Sequence, residues 1–154
     1  MEISKMISKH LREVYFGGNW TCVNFKEVLN DVDWTQATRQ VNDMNTIAVL
    51  MHHVSYYVTA QIEVLKGNPL NAKDADSFDH PPIHAQKDWD QMLDSIWRNV
   101  ENLAQLIEVL PTSTLTQVFQ NEKYGHYYRN LQGAIEHAHY HLGQIVLLKK
   151  LLKQ

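Results

Sequence analysis

Apolar residues recur three or four positions apart in four long segments, and the first two lie in the N-terminal half. The first segment covers residues 3–15, and Gly17-Gly18 follows it as a stop. The second covers residues 47–65, with Asn45 or Thr46 available as the N-cap. Both patterns predict amphipathic α-helices that bury one face.

The third and fourth segments show the same periodicity over a longer span. Pro81-Pro82 leads into the third, which extends to Leu110 before Pro111 ends it. The fourth begins near Tyr124-Gly125 and continues to Leu152. Its apolar stripe contains one histidine among six apolar residues, in the order Leu131, Ala134, Ala138, His141, Ile145, Leu148 and Leu152.

The connections between these segments are less regular. Residues 19–43 predict a short helix at Phe25–Leu29 and another short piece from Thr35, whereas residues 71–80 are polar, rich in Asp and without helical periodicity. We therefore predict an all-α fold, a four-helix bundle in one domain over residues 1–154. A long crossover would connect the first and second long helices.

The amino-acid composition argues against several kinds of partner and cellular location. The 14 basic and 17 acidic side chains give a formal charge of −3, which argues against nucleic acid as a partner. Cys22 is the single cysteine, so an intramolecular disulfide is excluded and a reducing compartment is favoured. The sequence shows no signal-peptide run and no stretch long enough to cross a bilayer, so we expect a cytoplasmic protein with no membrane partner.

Three of the nine histidines fall within five residues of the fourth predicted helix. His137 and His141 are four residues apart and lie one above the other on the same helix face. His139 lies roughly 200° around the helix from each of them, which predicts a position facing solvent or another subunit. Two imidazoles at this spacing can bind one metal ion if another helix supplies a third ligand.

The second helix carries the candidates for that third ligand, His52 and His53. His53 lies nearer the apolar stripe of this helix, and Tyr57 follows it by one turn on the same face. We choose His53, while His52 would serve if the helix were rotated. The remaining histidines have no partner at ligand spacing and are expected at the surface: His10, His80, His84 and His126.

A site of His53, His137 and His141 would hold a divalent transition metal and leave one coordination position open. Zinc or nickel is the first choice, while copper and iron also accept imidazole ligands. An ion with an open position can lower the pKa of bound water or hold a thiolate. Ala138 follows His137, where the zinc-protease motif has Glu, so the motif contains no general base. Gly143, near the site, would allow a close helix–helix approach.

These residues together resemble the DinB superfamily, also called DinB/YfiT-like. The resemblance is carried by residues 45–57 (NTIAVLMHHVSYY) and 135–145 (IEHAHYHLGQI), and also by residues 77–82 and 124–130. It covers nearly the whole chain. It implies a four-helix bundle, often paired as a homodimer, with a divalent metal held by three histidines at positions 53, 137 and 141.

The resemblance also implies classes of activity. Some relatives are thiol-dependent transferases or isomerases that use bacillithiol or mycothiol, so a thiol cofactor and a small-molecule or thiol substrate are expected partners. Catalytic and cofactor-binding residues are not assigned. The hypotheses are a metal-binding protein acting as a thiol transferase or hydrolase, and a non-enzymatic helical scaffold or binding module, with or without metal.

Overall fold

The computed structural model describes residues 2–153, and the chain there is folded into helices. The six α-helices of this part are α1 (Ile3–Phe16), α2 (Phe25–Leu29), α3 (Trp34–Thr38), α4 (Ile47–Leu65), α5 (Gln86–Glu108) and α6 (Tyr127–Leu152). The four long helices α1, α4, α5 and α6 confirm the predicted all-α fold. None of the helices within residues 2–153 is long and apolar enough to cross a membrane.

Helix directions follow from hydrogen bonds between neighbouring helices. Ser4 and Ser8 on α1 donate to the carbonyl oxygens of Leu110 and Ala104, each at 2.7 Å. Because the partner number falls as the α1 number rises, α1 and α5 are antiparallel. The connection from α1 to α4 spans residues 17–46 and includes α2 and α3, as the predicted crossover required.

Helices α4 and α5 point in the same direction. Trp34, at the start of α3, donates its backbone N–H to Gln86 at the start of α5, and α3 also packs against α4. At the opposite end, Leu70, just beyond α4, donates to Gln120, which follows α5. Residues 66–85 must therefore travel back along the bundle to reach the start of α5, and we call them the return segment.

The return segment contains helical structure that the polar, aperiodic sequence of residues 71–80 did not indicate. It contains a short 3-10 helix, Asp74–Phe78, with backbone bonds such as Asp76 N–H to Lys73 O at 3.1 Å. A single 3-10 turn is too short to produce a hydrophobic period, so the sequence pattern could not reveal it. The Tyr56 hydroxyl accepts a bond from the Lys73 N–H at 2.9 Å and holds this turn to α4.

One apolar core includes residues from all four long helices. Tyr15 and Trp89 are among its largest side chains, and both are 0% exposed. The Trp89 indole N–H donates to the Val32 carbonyl at 2.9 Å. By contrast, the Tyr15 hydroxyl has no hydrogen-bond partner within the part of the chain that the structure describes.

The unpartnered hydroxyl predicts that Tyr15→Phe will not weaken the fold. The hydroxyl is desolvated without compensation, so its removal should leave the free energy of unfolding unchanged or raise it by about 1 kcal/mol. Urea unfolding of both proteins, followed by circular dichroism, measures this difference.

Trp89→Phe is the matched control, because it also trims an aromatic side chain in the same core. It removes the bond to Val32 and leaves empty volume, so we expect a loss of about 2–3 kcal/mol. Equal destabilisation by both substitutions would contradict our interpretation of Tyr15.

Candidate metal centre

His53, His137 and His141 lie together between α4 and α6. Each offers one ring nitrogen, and these nitrogens all lie within 4.8 Å of one another. The His137 Nε2 atom is 3.0 Å from His53 Nε2 and 2.9 Å from His141 Nε2. His53 and His141 are only 6% and 7% exposed, whereas His137 is half-buried.

The two helices position these rings through their antiparallel packing. Thr46, one of the two N-cap candidates that the sequence offered, caps α4 through a bond from the Val49 N–H to its side chain. Farther along α4, the Gln61 side chain donates to the Asn130 carbonyl at 2.9 Å, which aligns α4 with the first turn of α6. One helical turn separates His137 from His141, so both rings face α4 at the level of His53.

Hydrogen bonds fix the tautomer of two of the three rings. Ser77 donates its hydroxyl proton to the Asp74 carbonyl, so its oxygen accepts the Nδ1–H of His53 at 2.7 Å. The side-chain carbonyl of Gln144 accepts the Nδ1–H of His141, also at 2.7 Å. In a neutral imidazole only one nitrogen carries a proton, so both Nε2 atoms present lone pairs.

His137 completes an arrangement that suits a metal ion. Its Nε2 lies close to both lone pairs, and a single N–H there can point at only one of them. At least one of the two contacts therefore has no hydrogen bond and places two electron-rich nitrogens against each other. Two nitrogens at these separations can both lie about 2.1 Å from one zinc-class ion. The three residues thus fit a divalent transition metal.

The electrostatic environment keeps these rings neutral. Burial lowers the pKa of His137 to about 4, and the charges that His141 and His53 would carry act in the same direction. Burial likewise lowers the pKa of His53, again with a contribution from His141, and that of His141. Neutral imidazole is the form that binds metals.

Aromatic rings surround the three imidazoles. Phe78 stacks on His53 with ring centroids 4.2 Å apart and planes 20° apart. The Tyr57 ring meets His53 and His137 edge-on at 5.3 and 5.2 Å. Tyr140 meets His141 edge-on at 4.9 Å.

Tyr57 also connects the site to the return segment. Its hydroxyl donates to the Asp74 carboxylate at 2.5 Å. Burial raises the pKa of Tyr57 to about 12, and the bond to Asp74 contributes to this rise. Tyr57 therefore stays protonated and acts as a hydrogen-bond donor.

The sequence-based search missed Ser77, Gln144 and Asp74. Gln144 follows His141 by three residues on one helix, so its contact was open to prediction from spacing. Ser77 and Asp74 lie in the return segment, where no periodicity indicated that the chain passes His53.

His52 lies on the other side of α4 from the three histidines. It lines a cavity of about 830 Å³ between α4, α5 and the return segment. The ring centroids of His52 and His80 are 6.3 Å apart. Apart from His53, His137 and His141, residues 2–153 contain no set of three or more metal-ligating side chains close enough to share an ion.

The other predicted positions are mostly at the surface. His10, His84 and His126 are exposed, whereas His80 is partly covered. His139 is also partly covered, with its ring centroid 5.9 Å from that of His10.

The suggestion that Gly143 permits a close helix approach within the chain is wrong. A Cβ built there would meet no atom within 4 Å. The position faces open space on the outer side of α6.

Comparisons with known proteins give one result at the level of family. Searches among curated proteins and among solved structures each found no match. The family model of the DinB superfamily matches residues 19–145. This range covers most of the chain and includes α4, α6 up to Ile145 and all three clustered histidines, and the chain therefore belongs to the DinB superfamily.

Proposed function

We propose that this protein binds one divalent transition-metal ion through His53, His137 and His141 and uses the open coordination position for chemistry on a small molecule. The main observation behind this proposal is that three Nε2 atoms converge. Bonds from Nδ1 to Ser77 and Gln144 leave two of these Nε2 atoms unprotonated, with their lone pairs free to bind an ion. Three neutral protein ligands are typical of catalytic sites, since structural zinc sites use four.

Activation of a thiol is the chemistry that these residues support best. A bound ion would supply Lewis acidity, which lowers the pKa of a thiol or a water molecule. Hydrolysis generally also needs a positioned base, and the carboxylate nearest in the hydrogen-bond network, Asp74, already accepts the Tyr57 hydroxyl. A thiol whose pKa a bound ion would lower can release its proton to solvent water, so these residues need not supply a base for it, and we favour a thiol-dependent transferase over a hydrolase.

A metal-stabilised scaffold is the rival function. The apolar core favours the catalytic alternative, because it extends through all four long helices while the histidines lie at its edge. The ion is therefore not needed to complete the core.

The first prediction from this proposal concerns the metal content of the purified protein. The wild-type protein loaded with Zn²⁺ and desalted should retain about one ion per chain, and His53→Ala or His141→Ala should retain little, since two imidazoles hold zinc weakly. Inductively coupled plasma mass spectrometry measures the stoichiometry.

His52→Ala and His139→Ala are matched controls on the same two helices. Both should keep the wild-type stoichiometry, because their rings lie outside the cluster. Unchanged metal content in His53→Ala and His141→Ala would eliminate the proposed site.

A second prediction addresses the residues that orient the ligands. Ser77→Ala and Gln144→Ala should each weaken zinc affinity by about 10–100-fold, because the freed rings can rotate or change tautomer. Competition with a fluorescent zinc chelator gives the dissociation constants. Ser55→Ala, on α4 but away from His53, His137 and His141, which we call the triad, is the control. Equal affinities in all four proteins would refute the orienting role.

A third prediction distinguishes the rival functions. After removal of metal with a chelator, the protein should keep its helical circular dichroism and a cooperative thermal transition, shifted only by the lost binding energy. Loss of the helical spectrum at 25 °C would instead identify a structural ion.

A further inference from the structure

The surroundings of the triad carry information about the molecule that would occupy the open position. Phe78 and Tyr140 contact two of the ligand rings, yet they are 39% and 65% exposed. Their ring faces are thus partly in water next to the site. Uncovered aromatic surface beside a ligand-binding position is a common feature of pockets that bind apolar groups.

The two exposed rings belong to different elements. Phe78 comes from the return segment and stacks on His53, while Tyr140 comes from α6 and contacts His141. Tyr57 fills the space beside His53 and His137. A group bound to the ion would therefore have aromatic surface within reach from both α6 and the return segment.

Charge gives the second constraint. The Asp74 carboxylate accepts the hydroxyl of Tyr57, whose ring contacts His53 and His137, and its negative charge acts on both imidazoles. Glu136, the residue before His137, has a side chain that is 69% exposed and is paired with Arg129 at 3.4 Å. Neither arrangement offers a free cation to a ligand of the triad.

The total charge of the site, with a divalent ion bound, is neutralised by a ligand that carries one negative charge. A divalent ion with three neutral imidazoles and Asp74 has a net charge of +1. One anionic donor atom, such as a thiolate, neutralises it. A second anionic group on the same molecule would be repelled by the Asp74 carboxylate wherever it lay close to the ion, which is unfavourable.

We propose that the site selects a monoanionic metal-binding group, such as a thiolate, carried on an aromatic or apolar body, and discriminates against molecules with an additional carboxylate. This inference rests on the proposed function, since it presumes a metal ion on the three histidines. It goes beyond it by naming the class of molecule. Phe78 and Tyr140 would bind the body, and Asp74 would reject the second anion.

Cobalt-substituted protein offers a direct test, because Co²⁺ bound to thiolate absorbs visible light. The loaded protein is titrated without oxygen with three thiols, namely 2-phenylethanethiol, ethanethiol and 3-mercaptopropionate. We expect 2-phenylethanethiol to bind about tenfold or more tightly than ethanethiol, since its ring is removed from water. We expect 3-mercaptopropionate to bind more weakly than ethanethiol.

Variants separate the two sources of selectivity. Phe78→Ala and Tyr140→Ala should reduce the preference for 2-phenylethanethiol over ethanethiol, whereas Tyr128→Ala, which removes another exposed tyrosine of α6, should not. Asp74→Asn should improve the binding of 3-mercaptopropionate relative to ethanethiol. Cobalt affinity is measured for each variant, so that a damaged metal site is recognised, and Tyr140→Ala provides a test that does not alter the return segment.

The outcomes are distinct. Failure of the wild-type protein to bind Co²⁺ would overturn the proposed function and this inference with it. Normal Co²⁺ binding with equal affinity for the three thiols would overturn this inference alone. The same holds for a preference that Phe78→Ala and Tyr140→Ala both leave unchanged.

Discussion

Two hydrogen bonds on the far side of the imidazoles determine what the rest of the site can do. Ser77 and Gln144 accept the Nδ1–H groups of His53 and His141, and both rings consequently aim lone pairs at His137. Without a cation at least one contact between the ring nitrogens has no hydrogen bond. A cation between the rings would be able to accept all three nitrogens as ligands. The same bonds that fix the orientation of the rings therefore also favour the binding of an ion.

The path of the backbone explains how Ser77 reaches His53. Parallel packing of α4 and α5 forces the return segment to run back along α4. Two neighbouring side chains of α4 bind the segment there. Tyr56 bonds to the backbone of Lys73, and Tyr57 bonds to the side chain of Asp74. The segment thereby separates two environments, with the three histidines on one side and the 830 Å³ cavity lined by His52 on the other. His52 and His53 are therefore neighbours in α4, yet their side chains lie in two separate environments.

Periodicity predicted those parts of the structure that depend on burial. The four long helices and the buried position of His53 both follow from which face of each helix is apolar. It did not predict Ser77 or Asp74, because their contact with α4 depends on helix direction, which no local pattern encodes. Gly143 shows the converse error. A glycine in a helix suggested close packing, but the surrounding space is open.

The location of the triad favours reactivity over a structural role. A structural ion is most useful where a small protein lacks enough apolar surface to fold, and here all four long helices contribute to one core. The three histidines lie at the margin of that core, where His137 is only half-buried and Phe78 and Tyr140 are open to solvent. Aromatic rings border these histidines, and partly exposed rings of this kind suit the apolar body of a bound small molecule.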